Sequence, residues 1–221
     1  NPYVTVDVTD ETLQSQREIV VERYRTQRKR LSAVLSQDGD RYPTTAAFQA
    51  SLAADIEQCP SVAEEAEERY PDEPYRQKFG LMRERLARVG DVRPGGYEDE
   101  EELLADLETV DASLRSYGGV DIADAFIEPL IRQVDTFGFS LASLDLRDHH
   151  IQHTKAVDEA LANEGIDYRE LDEEARAELL TEAILQDEPL IDMESPGDLT
   201  EESQKVLDRF VALGDWQTEY G

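Results

Sequence analysis

Apolar residues recur at helical spacing along most of this sequence, and this periodicity constrains the fold more than any other feature. The first stripe predicts a helix over about 11–36, because residues spaced by seven, four, seven and four share one helix face. Its members are Leu13, Val20, Tyr24, Leu31 and Leu35. A second stripe follows Pro74, which fits the first turn of a helix, and ends before Gly90. Further stripes between 103 and 134 extend the pattern, so the sequence predicts a mainly α-helical fold.

The pattern changes near residues 139–147, where a short apolar run lacks helical periodicity. We predict one β-strand here. Alternation along a strand places Asp145 and Arg147 on one face, toward the C-terminal end. Ligands bind at that end of the strands in parallel barrels and open α/β sheets, so Arg147 is a candidate for binding a phosphate or carboxylate through two hydrogen bonds. An ordinary ion pair with Asp145 or with a helix carboxylate is the alternative role.

The charge balance is strongly acidic and limits the classes of partner. The chain has 51 Asp and Glu residues against 22 Lys and Arg, a formal net charge of -29 at pH 7. Nucleic-acid binding is not expected, because neutralising phosphates requires a basic patch. Carboxylate-rich surfaces with few lysines suit molar salt, where screening over roughly 3 Å reduces self-repulsion. We therefore expect a halophilic protein; disorder and an acidic mimic of nucleic acid are the alternatives, and the regular stripes argue against disorder.

Two further features favour the cytoplasm. No apolar run approaches the ~20 residues needed to cross a bilayer, and no positively charged leader follows Asn1. The single cysteine, Cys59, cannot form a disulfide within the chain, which favours a reducing compartment. The expected location is therefore cytoplasmic, with no membrane partner.

Histidines after the predicted strand raise a metal-site hypothesis. His149 and His153 lie four residues apart and would share a helix face, which is a spacing of zinc ligands. A metalloprotease helix needs Glu directly after its first His, however, and His150 stands there. A zinc hydrolase is therefore one interpretation, and polar or helix-capping histidines beside an active-site rim are the other. Cys59 has no nearby His and is a poor candidate for a nucleophile.

Several short segments, taken in order, carry a family resemblance. Residues 1–5 read Asn-Pro-Tyr-Val-Thr, and residues 73–76 read Glu-Pro-Tyr-Arg at the start of a predicted helix. The longest pattern runs from Phe-Gly at 137–138 through Leu-Asp-Leu-Arg at 144–147 to His-Thr at 153–154. In this order the segments resemble phosphoenolpyruvate carboxylase, here a salt-adapted archaeal or bacterial form, and the resemblance covers essentially the whole chain.

The resemblance implies an eight-stranded TIM barrel, with residues 1–221 a single internal segment of the larger catalytic domain and at least one barrel strand near 139–147. Within it, we expect residues 1–136 to be helical, 137–163 to hold the strand and a following helix, and 164–221 to be helical again. The family is a carboxy-lyase that forms oxaloacetate and phosphate from phosphoenolpyruvate and bicarbonate, an anaplerotic carbon-fixing reaction. It uses Mg²⁺ or Mn²⁺ and is typically homotetrameric.

Arg147 is the one catalytic residue that the resemblance implies for this chain. It corresponds to one of the arginines around bound phosphoenolpyruvate, where a fixed cation stabilises developing phosphoryl charge. The family's catalytic His lies before Asn1, and its metal-binding carboxylates lie after Gly221. No metal or cofactor ligand is therefore expected within the chain, and the segment alone is expected to be inactive.

The chain departs from the family directly after Arg147. Asp148, His149 and His150 stand where the family usually has Gln-Glu-Ser, so the roles of that Gln and Glu are not transferred. A function from a different class is the alternative: a non-enzymatic acidic helical interaction module, in which Arg147 makes a structural ion pair.

Overall fold

Helices make up the regular structure of the part of the chain that is described. The computed structural model of the protein describes residues 6–34, 43–145, 149–186, 190–191 and 196–220. The helices are α1 (Val6–Val34), α2 (Ala46–Gln58), α3 (Pro60–Arg69), α4 (Pro74–Ala87), α5 (Glu100–Ser116), α6 (Val120–Ile122), a π-helix (Ala123–Ile127), α7 (Glu128–Phe137), α8 (His150–Asn163), α9 (Glu173–Leu185) and α10 (Glu201–Tyr220). The prediction of a mainly helical chain is confirmed.

Local sequence explains where several helices begin. The hydroxyl of Thr45 caps α2 by accepting a hydrogen bond from the Phe48 amide at 3.2 Å. Asp99 and Asp172 cap α5 and α9 in the same way, each accepting at 2.9 Å from the amide three residues later. These side chains satisfy amide donors that the first helical turn would otherwise leave unpaired. The residues at which these helices begin are therefore encoded locally, whereas the packing of one helix against another is not.

The described residues form two compact units. One combines residues 1–12 with 144–221, and the other comprises 13–143. We call them the terminal unit and the central unit. The division of the chain at 136 and 163, expected from the resemblance, remains a prediction.

The central unit has one hydrophobic core. Tyr24 from α1, Phe48 from α2 and both Tyr75 and Phe79 from α4 are at most 1% exposed. The rings of Phe48 and Tyr75 are tilted by 54° with their centroids 4.7 Å apart, a favourable aromatic geometry. Helices α5 and α7 add buried aliphatic side chains at Leu103, Leu107, Val110, Leu114, Leu130 and Val134. The buried stripe members on α1 are Val20, Tyr24 and Leu31, whereas Leu13 is half-buried. The helix predicted over about 11–36 begins earlier, at Val6, and residues 35 and 36 lie outside the described residues.

The terminal unit is smaller and is built on α8 and α10. These helices bury Ala156, Ala160 and Leu161 on α8 with Val206, Leu207 and Trp216 on α10. The indole nitrogen of Trp216 donates a hydrogen bond to Oδ1 of Asp10 at 3.2 Å. This bond ties the first turns of α1 to the end of α10 within the same unit.

The strand predicted near 139–147 is not formed in its described part. Residues 139–145 adopt a turn followed by irregular backbone, and none of the described residues belongs to a β-strand. Leu141 and Leu144 are 41% and 45% exposed, whereas Phe139 is 9% exposed. A strand requires backbone hydrogen bonds from a neighbouring strand, while a helix satisfies its own backbone. Residues 139–145, the part of the apolar run that the structure describes, therefore take no regular structure.

A cluster of charged side chains is buried in the central unit, and we call Asp55, Lys78, Arg85 and Asp106 the buried ion cluster. Nζ of Lys78 lies 2.6 Å from Oδ2 of Asp55 and 2.6 Å from Oδ1 of Asp106. Nη1 of Arg85 lies 3.0 Å from Oδ1 of Asp55 and 3.2 Å from Oδ2 of Asp106. The cluster holds two cations and two carboxylates and joins α2, α4 and α5.

Neighbouring groups complete the hydrogen bonding of this cluster. The hydroxyl of Tyr97 donates to Oδ2 of Asp106 at 2.7 Å, and the Arg85 guanidinium lies 3.9 Å from the centre of the Tyr97 ring. Nη2 of Arg85 also donates to Glu102 at 2.8 Å. Burial raises the pKa of Asp55 and the Asp106 carboxylate raises it further, while Lys78 and Arg85 lower it. Burial is the largest of these effects, so the pKa of Asp55 lies above its ordinary value.

Replacing Lys78 by Met is expected to lower the free energy of unfolding by about 3 kcal/mol or more, because Asp55 and Asp106 lose a partner without regaining water. The control, Arg132→Met, removes an exposed partner of Glu128 in the same unit and is expected to cost under about 1 kcal/mol. Urea unfolding measures both. The loss at Lys78 should persist in about 2 M KCl, since buried pairs are weakly screened. A Lys78→Met chain of native stability would contradict the assignment.

Candidate functional site

Arg147, the predicted catalytic residue, lies outside the described residues, together with Leu146 and Asp148. The segments on either side of it are described, one in each unit. Residues 137–143 belong to the central unit and lead toward the predicted site. Residues from His149 onward belong to the terminal unit.

Gly138 ends α7 in a backbone conformation that glycine favours. Its φ is +51° and its ψ is -132°, and its amide donates to the Val134 carbonyl at 2.7 Å. The Ser140 amide then donates to the Phe137 carbonyl at 2.9 Å, closing a turn. A Cβ on Gly138 would lie 3.0 Å from the Glu100 carboxylate, which is closer than ordinary contacts. The backbone conformation and the close approach of Glu100 therefore explain the glycine of the Phe-Gly motif.

The Tyr24 side chain of α1 is hydrogen-bonded to the backbone of this turn. Its hydroxyl lies 2.8 Å from the Gly138 carbonyl and 3.2 Å from the Gln133 carbonyl, and it donates to both. The side chain is almost fully buried, and this burial raises the pKa of Tyr24 to about 12; Glu100 also raises it and Arg23 lowers it. The hydroxyl therefore keeps its proton well above neutral pH and remains a donor.

A second side chain of α1 contacts the same stretch. Oε1 of Gln16 accepts a hydrogen bond from the Ala142 amide at 2.9 Å. Because Tyr24 and Gln16 lie on one helix, α1 holds the backbone at both 138 and 142. The stretch that precedes the predicted site is thus supported at two points although it has no regular structure.

The histidines that follow make contacts of a structural kind. Nδ1 of His149 accepts a hydrogen bond from the Ile151 amide at 3.4 Å, which makes His149 the N-cap of α8. Its ring stacks on that of His150 with centroids 4.9 Å apart, and the ring of His153 lies edge-on to Phe210 at 5.4 Å. These contacts favour the capping interpretation over the zinc interpretation.

The described residues contain no group of three or more His, Cys, Asp or Glu that could hold a metal ion. Cys59 is buried at the start of α3, and burial raises the pKa of its thiol. The protonated, enclosed sulfur is poorly suited to attack a substrate. Within the same described residues, no helix is long and apolar enough to cross a membrane.

The sequence analysis did not predict the hydrogen bonds from Tyr24 and Gln16 to the backbone at 138 and 142. It also did not predict the buried ion cluster of the central unit. The buried ion cluster did leave a signal, because Lys78 lies within the apolar stripe formed by Tyr75, Phe79 and Met82 and is one of few lysines in the chain. A lysine at a buried position needs a carboxylate partner, because an unpaired buried charge is strongly unfavourable. The bonds from Tyr24 and Gln16 left no such signal, since they join residues more than 100 positions apart.

Comparison with known proteins adds a family to this geometry. A family model described as phosphoenolpyruvate carboxylase matches residues 1–221. A phosphoenolpyruvate carboxylase of Roseiflexus castenholzii is 35% identical over 207 residues, covering 86% of this chain. Those of Thermosynechococcus vestitus and Xanthomonas euvesicatoria are each 31% identical and cover 100% of it. The chain spans only 22%, 23% and 24% of the lengths of these three relatives.

Replacing Gly138 by Ala is expected to destabilise the central unit by about 2 kcal/mol, since a side chain is strained at this backbone conformation and meets Glu100. Gly118→Ala is the matched control, because Gly118 also has positive φ in the same unit but open space around its Cβ position. Its cost is expected to be about 1 kcal/mol. Urea unfolding compares the two. Equal losses would show that Glu100 contributes nothing to the requirement for glycine.

Tyr24→Phe is expected to cost about 1 kcal/mol at pH 8, because two buried carbonyls lose a donor. The folded state binds the Tyr24 proton more tightly than the unfolded state, so its contribution is complete below pH 10 and is lost as pH rises toward 12. By about pH 11 the difference of about 1 kcal/mol between the native and variant chains should have disappeared, because one pH unit above the unfolded-state pKa corresponds to about 1.4 kcal/mol. Urea unfolding at several pH values measures it, and a constant difference would contradict the role of Tyr24.

Proposed function

The chain belongs to the phosphoenolpyruvate carboxylase family, and from this premise we propose that the full-length protein forms oxaloacetate and phosphate from phosphoenolpyruvate and bicarbonate. The observation that carries the proposal is the family match over residues 1–221. The motifs at 73–76 and 137–147 are part of this match and occur in the family's order. The protein is then a carboxy-lyase with an anaplerotic role.

The proposed reaction proceeds in three steps. A bicarbonate oxygen attacks the phosphorus of phosphoenolpyruvate, and the bond from phosphorus to the enol oxygen breaks, leaving carboxyphosphate and the enolate of pyruvate. A base removes the carboxyphosphate proton, and that intermediate separates into carbon dioxide and phosphate. The enolate carbon then attacks carbon dioxide, and the new carbon–carbon bond gives oxaloacetate.

Arg147 is the residue of this chain to which we assign a catalytic role. Its guanidinium offers paired donors to phosphate oxygens and remains charged at any physiological pH. Negative charge on the transferring phosphoryl group is stabilised by such a fixed cation. The support at 138 and 142 from α1 is consistent with a segment whose backbone position matters.

A divalent metal, Mg²⁺ or Mn²⁺, is part of the family's chemistry and would stabilise the phosphate and enolate charges. The described residues do not fit such an ion, since they hold no suitable group of ligands. We therefore derive no step through a metal from this chain, and we assign its ligands to another part of the full-length protein. The catalytic base and the remaining strands of a TIM barrel are assigned in the same way, so residues 1–221 alone are expected to be inactive.

The salt conditions, cellular location and oligomeric state of the protein are proposed from its charge and its family. The net charge of -29 supports a halophilic, cytoplasmic enzyme that is most stable in concentrated salt. A homotetramer is proposed for the full-length protein. Phosphoenolpyruvate and bicarbonate are its proposed substrates, and nucleic acid is not a proposed partner.

The full-length protein is expected to form oxaloacetate from phosphoenolpyruvate and bicarbonate with Mg²⁺ in high salt, and Arg147→Ala is expected to lower kcat/KM by about 100-fold or more. The control is Arg169→Ala, which removes an exposed arginine paired with Asp158 at 2.8 Å and should leave activity unchanged. Coupled malate dehydrogenase reports the product. If the native protein is active and Arg147→Ala leaves that activity unchanged, the role of Arg147 is structural. A native protein without activity would instead favour the acidic interaction module.

A further inference from the structure

Three side chains of α1 are hydrogen-bonded to one residue near the end of α7. Nε2 of Gln27 donates to Oε1 of Gln133 at 2.7 Å, and Nε of Arg23 donates to the same oxygen at 3.3 Å. The Tyr24 hydroxyl donates to the main-chain carbonyl of Gln133 at 3.2 Å. Gln133 stands five residues before Gly138, so these bonds connect α1 to the last turns of α7 directly before the chain leaves that helix.

Gln16 makes a bond of the same kind beyond the turn. It lies eight residues before Tyr24, or about 12 Å along α1 at 1.5 Å per residue. Its Oε1 accepts a hydrogen bond from the Ala142 amide at 2.9 Å, and both residues belong to the central unit. Helix α1 therefore binds the chain before the turn, at the turn and four residues after it.

The bond to Ala142 matters because packing does little to restrain the chain at this point. Leu141 and Leu144 are 41% and 45% exposed, and the residues between them are exposed as well. No strand hydrogen-bonds to this stretch within the part of the chain that the structure describes. A backbone amide without a ladder partner needs a side chain or water, and Gln16 supplies the side chain here.

Arg147, to which we assign a catalytic role, follows Ala142 by five residues. A catalytic group must be held within about 0.5 Å of its productive position, and a displacement of about 1 Å can cost about 100-fold in rate. We propose that Gln16 is a positioning residue for Arg147, because its bond to the Ala142 amide fixes the start of the segment that carries the arginine. This inference rests on the proposed function.

Steady-state kinetics of the full-length protein test the role of the bond. Gln16→Ala removes the acceptor and is expected to lower kcat/KM for phosphoenolpyruvate by about tenfold. Gln16→Glu keeps an acceptor oxygen at the same place and is expected to retain at least about half of the native value. Gln14→Ala is the matched control, because it removes the same side chain from an exposed position of the same helix and should leave kcat/KM unchanged.

A double-mutant cycle separates positioning from a general structural role. If Gln16 acts through Arg147, adding Gln16→Ala to Arg147→Ala should change kcat/KM by less than about twofold, since the group that it positions is already gone. A structural role of Gln16 predicts that the tenfold loss appears in both backgrounds. The same assay, with phosphoenolpyruvate, bicarbonate and Mg²⁺ in high salt, measures all four proteins of the cycle.

Four outcomes would overturn the inference. They are a native kcat/KM in Gln16→Ala, equal losses in Gln16→Ala and Gln16→Glu, a tenfold loss that persists beside Arg147→Ala, and no loss in Arg147→Ala itself. The first three leave the proposed carboxylase activity intact when the native protein forms oxaloacetate. A native protein that forms none would overturn the proposed function and this inference together.

Discussion

The central unit depends on the burial of Lys78 between two carboxylates. Its ammonium group is fully enclosed and lies 2.6 Å from both Asp55 and Asp106, so it can be accommodated only if α2, α4 and α5 meet in one arrangement. An apolar core alone tolerates several similar packings, whereas a buried cation without its partners costs several kcal/mol, on the order of 3–5. We infer that the buried ion cluster selects the packing of these helices, while the surrounding aromatic and aliphatic side chains supply most of the stabilisation.

The buried ion cluster depends on salt much less than the charges on the surface do. The net charge of -29 is carried largely by exposed carboxylates, whose mutual repulsion depends on salt. The ion pairs of Lys78 and Arg85 are enclosed and are screened far less. A protein in concentrated salt can therefore change its surface composition without weakening the interactions that orient its core helices. Arginine suits this role, since the Arg85 guanidinium bonds Asp55, Asp106 and Glu102 together.

The stretch after α7 shows how a segment without regular structure can still be positioned. Gly138 makes the turn, and Tyr24 and Gln16 of α1 bind the backbone on both sides of it. In the proposed carboxylase this stretch leads along the chain to Arg147, the residue to which we assign a catalytic role. Residues 139–145 form no strand, because a strand needs a hydrogen-bonded neighbour and the described residues supply none.

The helices, several of their starts and the family were determined by the sequence itself, because helical periodicity, capping residues and short motifs are local patterns. The first helix is an exception, since it begins at Val6 and not near residue 11. The buried side chains at Tyr24, Phe79 and Leu107 were predictable for the same reason. Tertiary structure alone decided that Lys78 is paired, that Tyr24 supports Gly138 and that residues 139–145 lack a strand. Each of these outcomes depends on groups far away in the chain, or on partners that are absent from it. Hydrogen bonding within a helix closes over four residues, whereas ion pairing and strand formation require neighbours that only the assembled fold can bring together.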